Sequence, residues 1–343
     1  MTDTPLRGVM IGAGNFAEYH IDAWNRMPGI RMSAICDVDP IRADDLAQRH
    51  GITARFTDWR EMLAAQEPDF VDIVTPAEAH AAQVRHAAER GVHIICQRPL
   101  TPTAAGTAAL VEYMATQPVR LMIHENWRWQ PWYRTTYELL AAGVLGEPST
   151  LVFRMRTGEG WPDEAYADLE PDARQHPRLL LSQVGVHFVQ AFSMLLGQVT
   201  SVYARTHRNN PTIRGEDAAV LVLGFDDGAT AVLDASRYNE TTAADPLLTF
   251  GTMRLDGTGG HLLLDADGTL TLHPLGGIPE PVDYEVPDIG FAGDSVYATQ
   301  RHFIDSLCSG LPFDSEPSDH LRCVDVIEAA YTSADSGTAI TLA

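Results

Sequence analysis

The chain has 343 residues, and its 24 lysines and arginines against 46 aspartates and glutamates give a formal net charge of −22 at pH 7. A chain of this length exceeds one typical compact core, so we expect two domains. Nucleic acids and anionic membrane surfaces are bound through basic patches, so the acidic balance argues against both as partners.

The four cysteines show neither CxxC nor any other zinc-type spacing; they are Cys36, Cys96, Cys308 and Cys323. We therefore expect buried, reduced thiols, with neither a metal site nor a disulfide framework. The first residues lack the pattern of a secretory signal, and no apolar run approaches the roughly 18 residues of a membrane span. These observations predict a cytoplasmic protein with no metal.

A glycine-rich turn follows the first apolar strand, which we predict over Leu6–Ile11. Residues 12–17 (GAGNFA) have the spacing GxGxxA and open a helix that reaches about residue 26. The first glycine permits a tight turn, the second lets a pyrophosphate approach the backbone, and the small third residue lets helix and strand pack closely. The alternative is a purely structural turn. We predict a dinucleotide site formed by Gly12, Gly14, Asn15, Phe16 and Ala17.

An aspartate ends the second predicted strand, which covers residues 33–36 and leads into Asp37. An acidic residue about 20 or more residues beyond the glycines is where such domains hold the ribose 2′-hydroxyl. A carboxylate accepts hydrogen bonds from a diol and repels a 2′-phosphate, so we predict NAD rather than NADP. The alternative is that Asp37 is a turn or capping residue, because residues 37–40 (DVDP) open the next helix.

Helices and strands alternate over the rest of the N-terminal part. This alternation predicts a parallel, doubly wound sheet with helices on both faces. The predicted helices cover residues 41–50, 58–65, 77–90 and 103–116, and the predicted strands cover residues 70–74, 92–96 and 119–123.

Polar residues follow two of these strands. Thr75 and Pro76 come after one strand, with His80 in the next helical turn, and Gln97 and Arg98 come after another. Ligands of open parallel sheets bind at the carboxyl ends of the strands. We therefore predict that these residues line the nicotinamide side of the cofactor site. A solvated helix position is the alternative for His80.

An aromatic and arginine-rich stretch, residues 125–134 (ENWRWQPWYR), follows the last of these strands. Tryptophan and arginine suit stacking on, and hydrogen bonding to, a polar ring-shaped ligand. We predict that Trp127 and Arg128 contact substrate. For Trp132 and Tyr133 the alternative is aromatic packing at a hinge between domains.

The pattern changes to alternating strands from about residue 149. Turn signals between the strands predict one open, mostly antiparallel sheet, with helices on one face and a dimer or tetramer contact on the other. The predicted strands cover residues 150–156, 218–225, 229–236, 247–255 and 261–264. We expect a Rossmann domain over residues 1–125 and a second domain over 126–343. The final helices (294–309 and 317–336) are expected to return to the first domain.

A loop over residues 157–177 and a helix over residues 179–196 interrupt this sheet. Gln183 and His187 are four residues apart, which places them on one face of an α-helix. A histidine on an apolar helix is usually a core residue, and His187 is a candidate general acid or base if its face meets the substrate.

In this order, the motifs resemble the Gfo/Idh/MocA family of NAD(P)-dependent oxidoreductases along essentially the whole chain. The resemblance implies a Rossmann domain, a C-terminal α/β domain, a sugar, polyol or cyclitol substrate and a homodimer or homotetramer. Within the family, residues 124–134 and the segment 154–178 look most like the D-apiose dehydrogenases, and we predict on this resemblance that Arg156 contacts substrate. The matching landmarks are residues 12–17 (GAGNFA), Asp37, Thr75-Pro76 with His80, 96–100 (CQRPL), 128–131 (RWQP), 142–146 (AGVLG), 185–187 (GVH) and 327–331 (IEAAY).

The chain departs from the catalytic set that the resemblance implies. That set is a lysine in an E-K-P turn and an aspartate four residues before a histidine. In this chain Gln97 and Arg98 stand in place of the glutamate and lysine of that turn, and Gln183 stands in place of the aspartate. Gln190 occupies a further acidic position, so His187 alone is retained. An arginine stays protonated and cannot act as a base, although it can stabilise an alkoxide.

Two hypotheses follow from this departure. In the first, the protein is an NAD-dependent dehydrogenase that takes hydride from a sugar, polyol or cyclitol hydroxyl, with a D-apiose-like aldose as substrate and His187 as base. In the second, it is a weakened or inactive family member that binds NAD as a sensor or partner protein. An isomerase that retains its cofactor is also compatible with the sequence.

Overall fold

The computed structural model describes residues 5–166 and 173–342. The chain divides into two compact units, the first formed by residues up to 129 with residues 289–322 and the second by residues 130–288 with residues 323–343. Two sequence-based expectations fall partly outside the described residues. They are the absence of a signal at residues 1–4 and the part of the predicted loop that covers residues 167–172.

The α-helices of the described residues follow the predicted positions closely in the first unit. Asp39, Asp58 and Thr103 cap three of them, because each side chain accepts a hydrogen bond from a backbone N–H in the first turn. The helices are α1 (Ala17–Asn25), α2 (Pro40–Arg49), α3 (Trp59–Gln66), α4 (Ala77–Glu89), α5 (Ala104–Met114), α6 (Pro131–Ala141), α7 (Val186–Leu196), α8 (Ser295–Ser309) and α9 (Pro317–Ser336).

A six-stranded parallel sheet forms the centre of the first unit. Its strands are β1 (Leu6–Ile11), β2 (Ile30–Cys36), β3 (Ala54–Phe56), β4 (Phe70–Ile73), β5 (His93–Gln97) and β6 (Leu121–His124). Their spatial order is β3-β2-β1-β4-β5-β6, so the order reverses between β1 and β4, where doubly wound sheets bind their ligands. The predicted parallel, doubly wound sheet is confirmed. The sequence analysis missed β3, which has only three residues.

Successive side chains of this sheet enter two separate cores. Val9 and Ile11 of β1 belong to one hydrophobic cluster, whereas Met10 belongs to the other. Residues point alternately to the two faces of a strand, so a strand that is covered on both sides is apolar throughout. Phe303 of α8 is fully buried in the second cluster, so α8 completes one face of the first unit.

A nine-stranded sheet forms the second unit, in the order β14-β13-β12-β11-β7-β10-β9-β8-β15. Within the described residues of this second sheet only β7 and β10 pair in parallel, so the predicted, mostly antiparallel sheet is confirmed. The strands are β7 (Pro148–Arg156), β8 (Val199–His207), β9 (Ala218–Phe225), β10 (Thr230–Ser236), β11 (Gly251–Gly257), β12 (Gly260–Leu264), β13 (Leu270–Pro274), β14 (Glu280–Pro281) and β15 (Ile340–Thr341).

Four sequence-based assignments need correction. β8, β13, β14 and β15 were not predicted, and the strand predicted from residue 247 begins at Gly251. The helix predicted from residue 179 is not uniformly α-helical, because Leu181–Gly185 form a π-helical turn before α7. Cys36, Cys96 and Cys323 are buried as expected, but Cys308 is exposed, and the four thiols form no disulfide in the described part of the chain.

None of the helices within residues 5–166 and 173–342 has both the length and the apolar character that crossing a membrane would require.

Candidate functional site

The glycine turn has the geometry that a dinucleotide requires. Gly12 has a φ of +107°, and a Cβ added there would lie 2.4 Å from the carbonyl oxygen of Val74. A Cβ added to Gly14 would meet nothing within 4 Å, so the backbone of this turn borders open space. Ala17 is fully buried at the start of α1, where its small side chain lets the helix approach the sheet. These residues fit a pyrophosphate placed at the N-terminus of α1.

Asp37 joins the end of β2 to the glycine turn. Its Oδ2 accepts a hydrogen bond from the Ala13 N–H at 2.7 Å, and its Oδ1 accepts one from the Asp39 N–H at 2.9 Å. The side chain that caps α2 is that of Asp39, which accepts from the Ile41 N–H. A carboxylate oxygen can accept more than one hydrogen bond, so Asp37 retains acceptor capacity for a ribose hydroxyl.

A polar cavity of about 390 Å³ borders the glycine turn. Arg49 of α2 is ion-paired with Glu18 and Asp45, and Arg42 lies 3.6 Å from a carboxylate oxygen of Asp39. The two arginines are therefore charge-balanced by carboxylates of the same unit. The residues that line the cavity are Ala13, Gly14, Asn15, Glu18, Arg42, Asp45 and Arg49.

His80 connects the ends of β4 and β5. Its side chain is 1% exposed, so the alternative of a solvated helix residue is wrong. Its Nε2 lies 2.7 Å from the Thr75 carbonyl oxygen and its Nδ1 lies 3.0 Å from that of Pro99. Burial lowers the pKa of His80, and a neutral imidazole donates to one of these carbonyls at a time. Thr75 is held further by its hydroxyl, which donates to Gln83 at 2.7 Å, and Pro76 is the N-cap of α4.

Gln97 and Arg98 lie at the carboxyl end of β5, as predicted. The Gln97 Oε1 accepts the Arg98 backbone N–H at 3.1 Å, and its Nε2 lies 2.9 Å from His20 Nε2. His20 in turn contacts Asp72 through its Nδ1 at 2.8 Å. The amide of Gln97 is thus held between the backbone of the next residue and a buried histidine.

Glu125 is a functional candidate that the sequence analysis did not single out. It is 2% exposed, and its Oε2 lies 3.9 Å from the Arg98 Nε. Its Oε1 accepts the Trp127 N–H at 3.2 Å. Gln97 of β5 pairs with His124 of β6, so the residues that follow these two strands lie side by side. Recognition of that register could have identified the pair of Arg98 and Glu125.

The aromatic stretch is largely buried. Trp127 is 4% exposed and lies in a short 3₁₀ turn (Trp127–Trp129). The Arg128 Nη2 lies 4.0 Å from a carboxylate oxygen of Asp314. Trp132 and Tyr133 are fully buried in the second unit, which agrees with the packing alternative for those two residues. Burial also raises the pKa of Tyr133, so its hydroxyl stays protonated.

In the second unit, Gln183 binds an arginine that the sequence analysis missed. The Gln183 Oε1 accepts a hydrogen bond from Arg237 Nη1 at 3.0 Å. Arg237 is 8% exposed, and its Nε lies 3.0 Å from an oxygen of Glu159. Gln183 and Arg237 are 54 positions apart, and no local pattern in the sequence pointed to their contact.

The π-helical turn that carries Gln183 is held by a buried carboxylate. Glu216 accepts hydrogen bonds from the N–H groups of Leu179 and Leu181, and the Tyr331 hydroxyl donates to it at 2.7 Å. Tyr331 also accepts the Ser182 N–H at 3.2 Å, and its pKa is raised by burial and by Glu216. Residues four apart lie near the same side of a π turn, as they do in an α-helix, so the shared face of Gln183 and His187 stays a prediction.

His187 is 6% exposed near the start of α7. Gln190, one turn later, accepts a hydrogen bond from the Cys323 thiol at 2.7 Å. Arg156 is held within its own sheet, because its guanidinium donates to both carboxylate oxygens of Asp234 at 2.8 and 2.9 Å. Its contact with substrate remains a prediction. No cluster of three or more potential metal ligands occurs within residues 5–166 and 173–342.

Two family models match the chain, one in each unit. A model described as "Oxidoreductase family, NAD-binding Rossmann fold" matches residues 6–125. A second, described as "GFO/IDH/MocA C-terminal domain", matches residues 133–263. The two matches agree with the two sheets of the fold.

Curated relatives match along nearly the whole chain. A D-apiose dehydrogenase of Rhizobium rhizogenes is 32% identical, with 99% of this chain and 98% of the relative covered. A D-apiose dehydrogenase of Paraburkholderia graminis is 33% identical, with 98% and 90% covered.

Solved structures match as completely. An oxidoreductase from Agrobacterium radiobacter, in complex with NAD+, L-tartaric acid and magnesium, superposes with a TM-score of 0.90 at 32% identity, over 98% of each chain. A levoglucosan dehydrogenase in complex with NADH and levoglucosan has a TM-score of 0.86 at 19% identity, over 98% of this chain and 99% of the other, and shows the shared fold.

Proposed function

We propose that this chain, which belongs to the Gfo/Idh/MocA oxidoreductase family, is an NAD-dependent sugar dehydrogenase whose first candidate substrate is D-apiose. The observation that carries the proposal is the match at 32–33% identity to two D-apiose dehydrogenases, over nearly the full length of this chain and of both relatives. The reaction removes a hydride from a hydroxyl-bearing carbon of the sugar and a proton from that hydroxyl.

The cofactor in this proposal is NAD rather than NADP. When bound, its nicotinamide ring accepts the hydride. Asp37 offers carboxylate oxygens to a ribose diol and repels a 2′-phosphate. The nearby cations, Arg42 and Arg49, are already paired with carboxylates, which supports the same preference. Gly12, Gly14, Asn15, Phe16 and Ala17 hold the pyrophosphate side, and Thr75, Pro76, His80, Gln97 and Arg98 hold the nicotinamide side.

His187 is the proposed base that removes the proton from the sugar hydroxyl. An arginine remains protonated in proteins, so Arg98 cannot take the proton that a lysine at that position could take. Arg98 instead donates hydrogen bonds to a substrate oxygen and stabilises the negative charge that develops there. Glu125, 3.9 Å from the Arg98 Nε, fixes the orientation of the guanidinium.

Gln183 is the proposed positioning residue for the sugar hydroxyl. Its Oε1 accepts from Arg237, which orients the Nε2 group away from the guanidinium as a donor. A carboxylate at this position could ionise, whereas an amide contributes only hydrogen bonds. Trp127, Arg128 and Arg156 complete the proposed substrate contacts, with Trp127 as the apolar surface for a sugar ring.

The second candidate function is NAD binding without turnover. The observation that favours it is the replacement of the implied lysine by Arg98 and of the implied aspartate by Gln183. A protein of this kind would bind NAD and a sugar as a sensor or partner protein.

A test of turnover separates the two functions. NADH formation is followed by absorbance with NAD+ and a panel of D-apiose, other aldoses and inositols, and NADH affinity is measured in parallel by fluorescence. We expect steady turnover of D-apiose or a related aldose. Tight NADH binding with no turnover of any sugar would overturn the dehydrogenase and support the binding protein.

The outer face of the nine-stranded sheet is the proposed contact of a homodimer or homotetramer. Val152, Val220 and Val222 point outward from β7 and β9 and are 36–40% exposed. The 54 residues of its nine strands, at a rise of about 3.3 Å per residue and a strand spacing of about 4.8 Å, give a face on the order of 900 Å². A stable interface takes about 800 Å² from each partner, so one sheet face is large enough for a second copy of the chain.

A further inference from the structure

A buried chain of polar groups runs through the first unit and ends at Arg98. Asp72 of β4 and His20 of α1 are both fully buried, with the His20 Nδ1 2.8 Å from the Asp72 Oδ2. The His20 Nε2 lies 2.9 Å from the Gln97 Nε2, and the Gln97 Oε1 accepts the Arg98 N–H at 3.1 Å. The path therefore leads from a carboxylate, through an imidazole and an amide, to the backbone of Arg98.

The proton positions in this chain follow from its chemistry. The backbone N–H of Arg98 can only donate, so the atom of Gln97 that faces it must be the oxygen. The Gln97 atom that faces His20 is then an NH₂ group, which also can only donate. His20 Nε2 must therefore carry a lone pair, and the single proton of the imidazole lies on Nδ1, where it is donated to Asp72.

His124 supports the same neutral state. Its ring lies against that of His20, with the centroids 4.1 Å apart and the planes tilted by 32°, and its Nδ1 lies 3.4 Å from the Gln97 Nε2. Two imidazolium rings this close would repel each other, and a protonated His124 Nδ1 would face the amide N–H of Gln97.

The other polar groups around the imidazole are fixed or neutral. Asp72 also accepts from the Trp24 indole N–H at 2.7 Å and has the Gln300 Nε2 at 3.5 Å, so α1 and α8 both bind it. The Cys96 thiol of β5 stays protonated, because burial and Asp72 raise its pKa. The carboxylate of Glu125, which follows β6, lies beside Arg98.

We propose that Asp72, His20 and Gln97 form a positioning network that holds the turn of Arg98. The network operates only with neutral His20, and glutamine at position 97 selects this state. The kinetic test of the network rests on the proposed function, whereas the assignment of its protons does not. A protonated His20 would point an N–H at the Gln97 NH₂ group and break the chain.

Replacement of Gln97 by glutamate reverses this requirement. A carboxylate has no N–H, so it can bind His20 Nε2 only when that atom carries a proton. His20 would then be an imidazolium between the carboxylates of Asp72 and Glu at position 97, while the other glutamate oxygen still accepts the Arg98 N–H. We expect the activity of Gln97→Glu, relative to the wild type, to be higher at about pH 6 than at about pH 8.

The test combines NMR of ¹⁵N-histidine-labelled full-length protein with pH profiles of kcat. The His20 signals are assigned by their loss in His20→Asn. We expect a neutral imidazole protonated at Nδ1 in the wild type and a doubly protonated imidazole in Gln97→Glu at the same neutral pH. We further expect kcat of Gln97→Glu to be about 10- to 100-fold below the wild type at pH 8 and to recover at pH 6. Gln117→Glu, which makes the same change in a surface residue of the first unit, should follow the wild-type profile.

Three other outcomes would contradict different parts of the proposal. A wild-type His20 that is protonated at Nε2 near neutral pH would overturn the proton assignment. An unchanged His20 spectrum and a parallel pH profile in Gln97→Glu would overturn the role of glutamine. Absence of turnover by the wild type would refute the proposed function, while the NMR spectra would still decide the state of the network.

Discussion

At the scale of single residues, the main departure from the implied catalytic set is Arg98, which cannot exchange a proton. Arg98 lies 3.9 Å from the buried Glu125, and His187 is the base in the proposed reaction. In that reaction the proton transfer belongs to His187, while Arg98 supplies positive charge. This division of roles makes separate predictions for His187 and Glu125.

Substitution of His187 by asparagine should remove the base and retain the polar character of the site. General base catalysis contributes about 10²- to 10⁴-fold, so we expect kcat to fall by that factor with little change in NADH affinity. Steady-state kinetics and NADH fluorescence measure the two effects. Ser193→Ala, on the same helix, is the control and should keep wild-type kcat; a His187→Asn variant with normal kcat would disprove the assignment.

Substitution of Glu125 by glutamine should destabilise the first unit and displace Arg98. The change removes the negative charge beside a largely buried guanidinium, which costs about 1–3 kcal/mol of unfolding free energy. Urea unfolding reports this loss, and a reduced kcat accompanies it. Glu89→Gln alters an exposed glutamate at the end of α4 and should change neither quantity. Equal stability of both variants would mean that the pair of Arg98 and Glu125 contributes nothing.

At the scale of elements, local signals were readable in the sequence and distant contacts were not. The glycine turn was recognised from consecutive residues and Asp37 from its spacing along the chain after that turn, and the structure gives Gly12 the positive φ that the turn demands. The π-helical turn is held by Glu216, which lies more than thirty positions away, so its sequence looked like ordinary helix. The contact of Gln183 with Arg237 was hidden for the same reason.

The two glycines of the turn should respond differently to alanine. Gly12→Ala forces a Cβ to 2.4 Å from the Val74 carbonyl at a φ of +107°, so we expect a loss of at least about 1–3 kcal/mol of unfolding free energy. The Cβ that Gly14→Ala adds meets nothing within 4 Å, so the free energy of unfolding of this variant should equal that of the wild type. The added methyl group would, however, occupy space beside the pyrophosphate and weaken NADH binding about tenfold or more. Normal NADH affinity of Gly14→Ala would contradict this placement of the cofactor.

At the scale of the whole molecule, the order of motifs identified the family and both sheets, and the family matches confirm that resemblance. The alternation of helix and strand predicted the parallel sheet, and turn signals predicted the antiparallel one. Short or weakly patterned strands were missed, such as β3 with three residues and β15 with two, because their stability comes from neighbouring strands rather than from their own sequence.

The outer sheet face should control assembly. Val222→Glu places a charge on this face, where it would be buried in a dimer, so we expect a smaller oligomer by light scattering. Ile278→Glu, a loop residue that is 85% exposed, should leave the mass unchanged. A monomeric wild type at micromolar concentration, or an unchanged mass for Val222→Glu, would rule out this face as the contact.

The most direct test of the central claim compares NADH formation from D-apiose by the wild type and by Arg98→Lys. If Arg98 stabilises charge and His187 removes the proton, the wild type turns over and lysine at position 98 is not required. Activity that appears only in Arg98→Lys would contradict this account, because it would show that the base of the reaction belongs at position 98 and that the wild type is a binding protein.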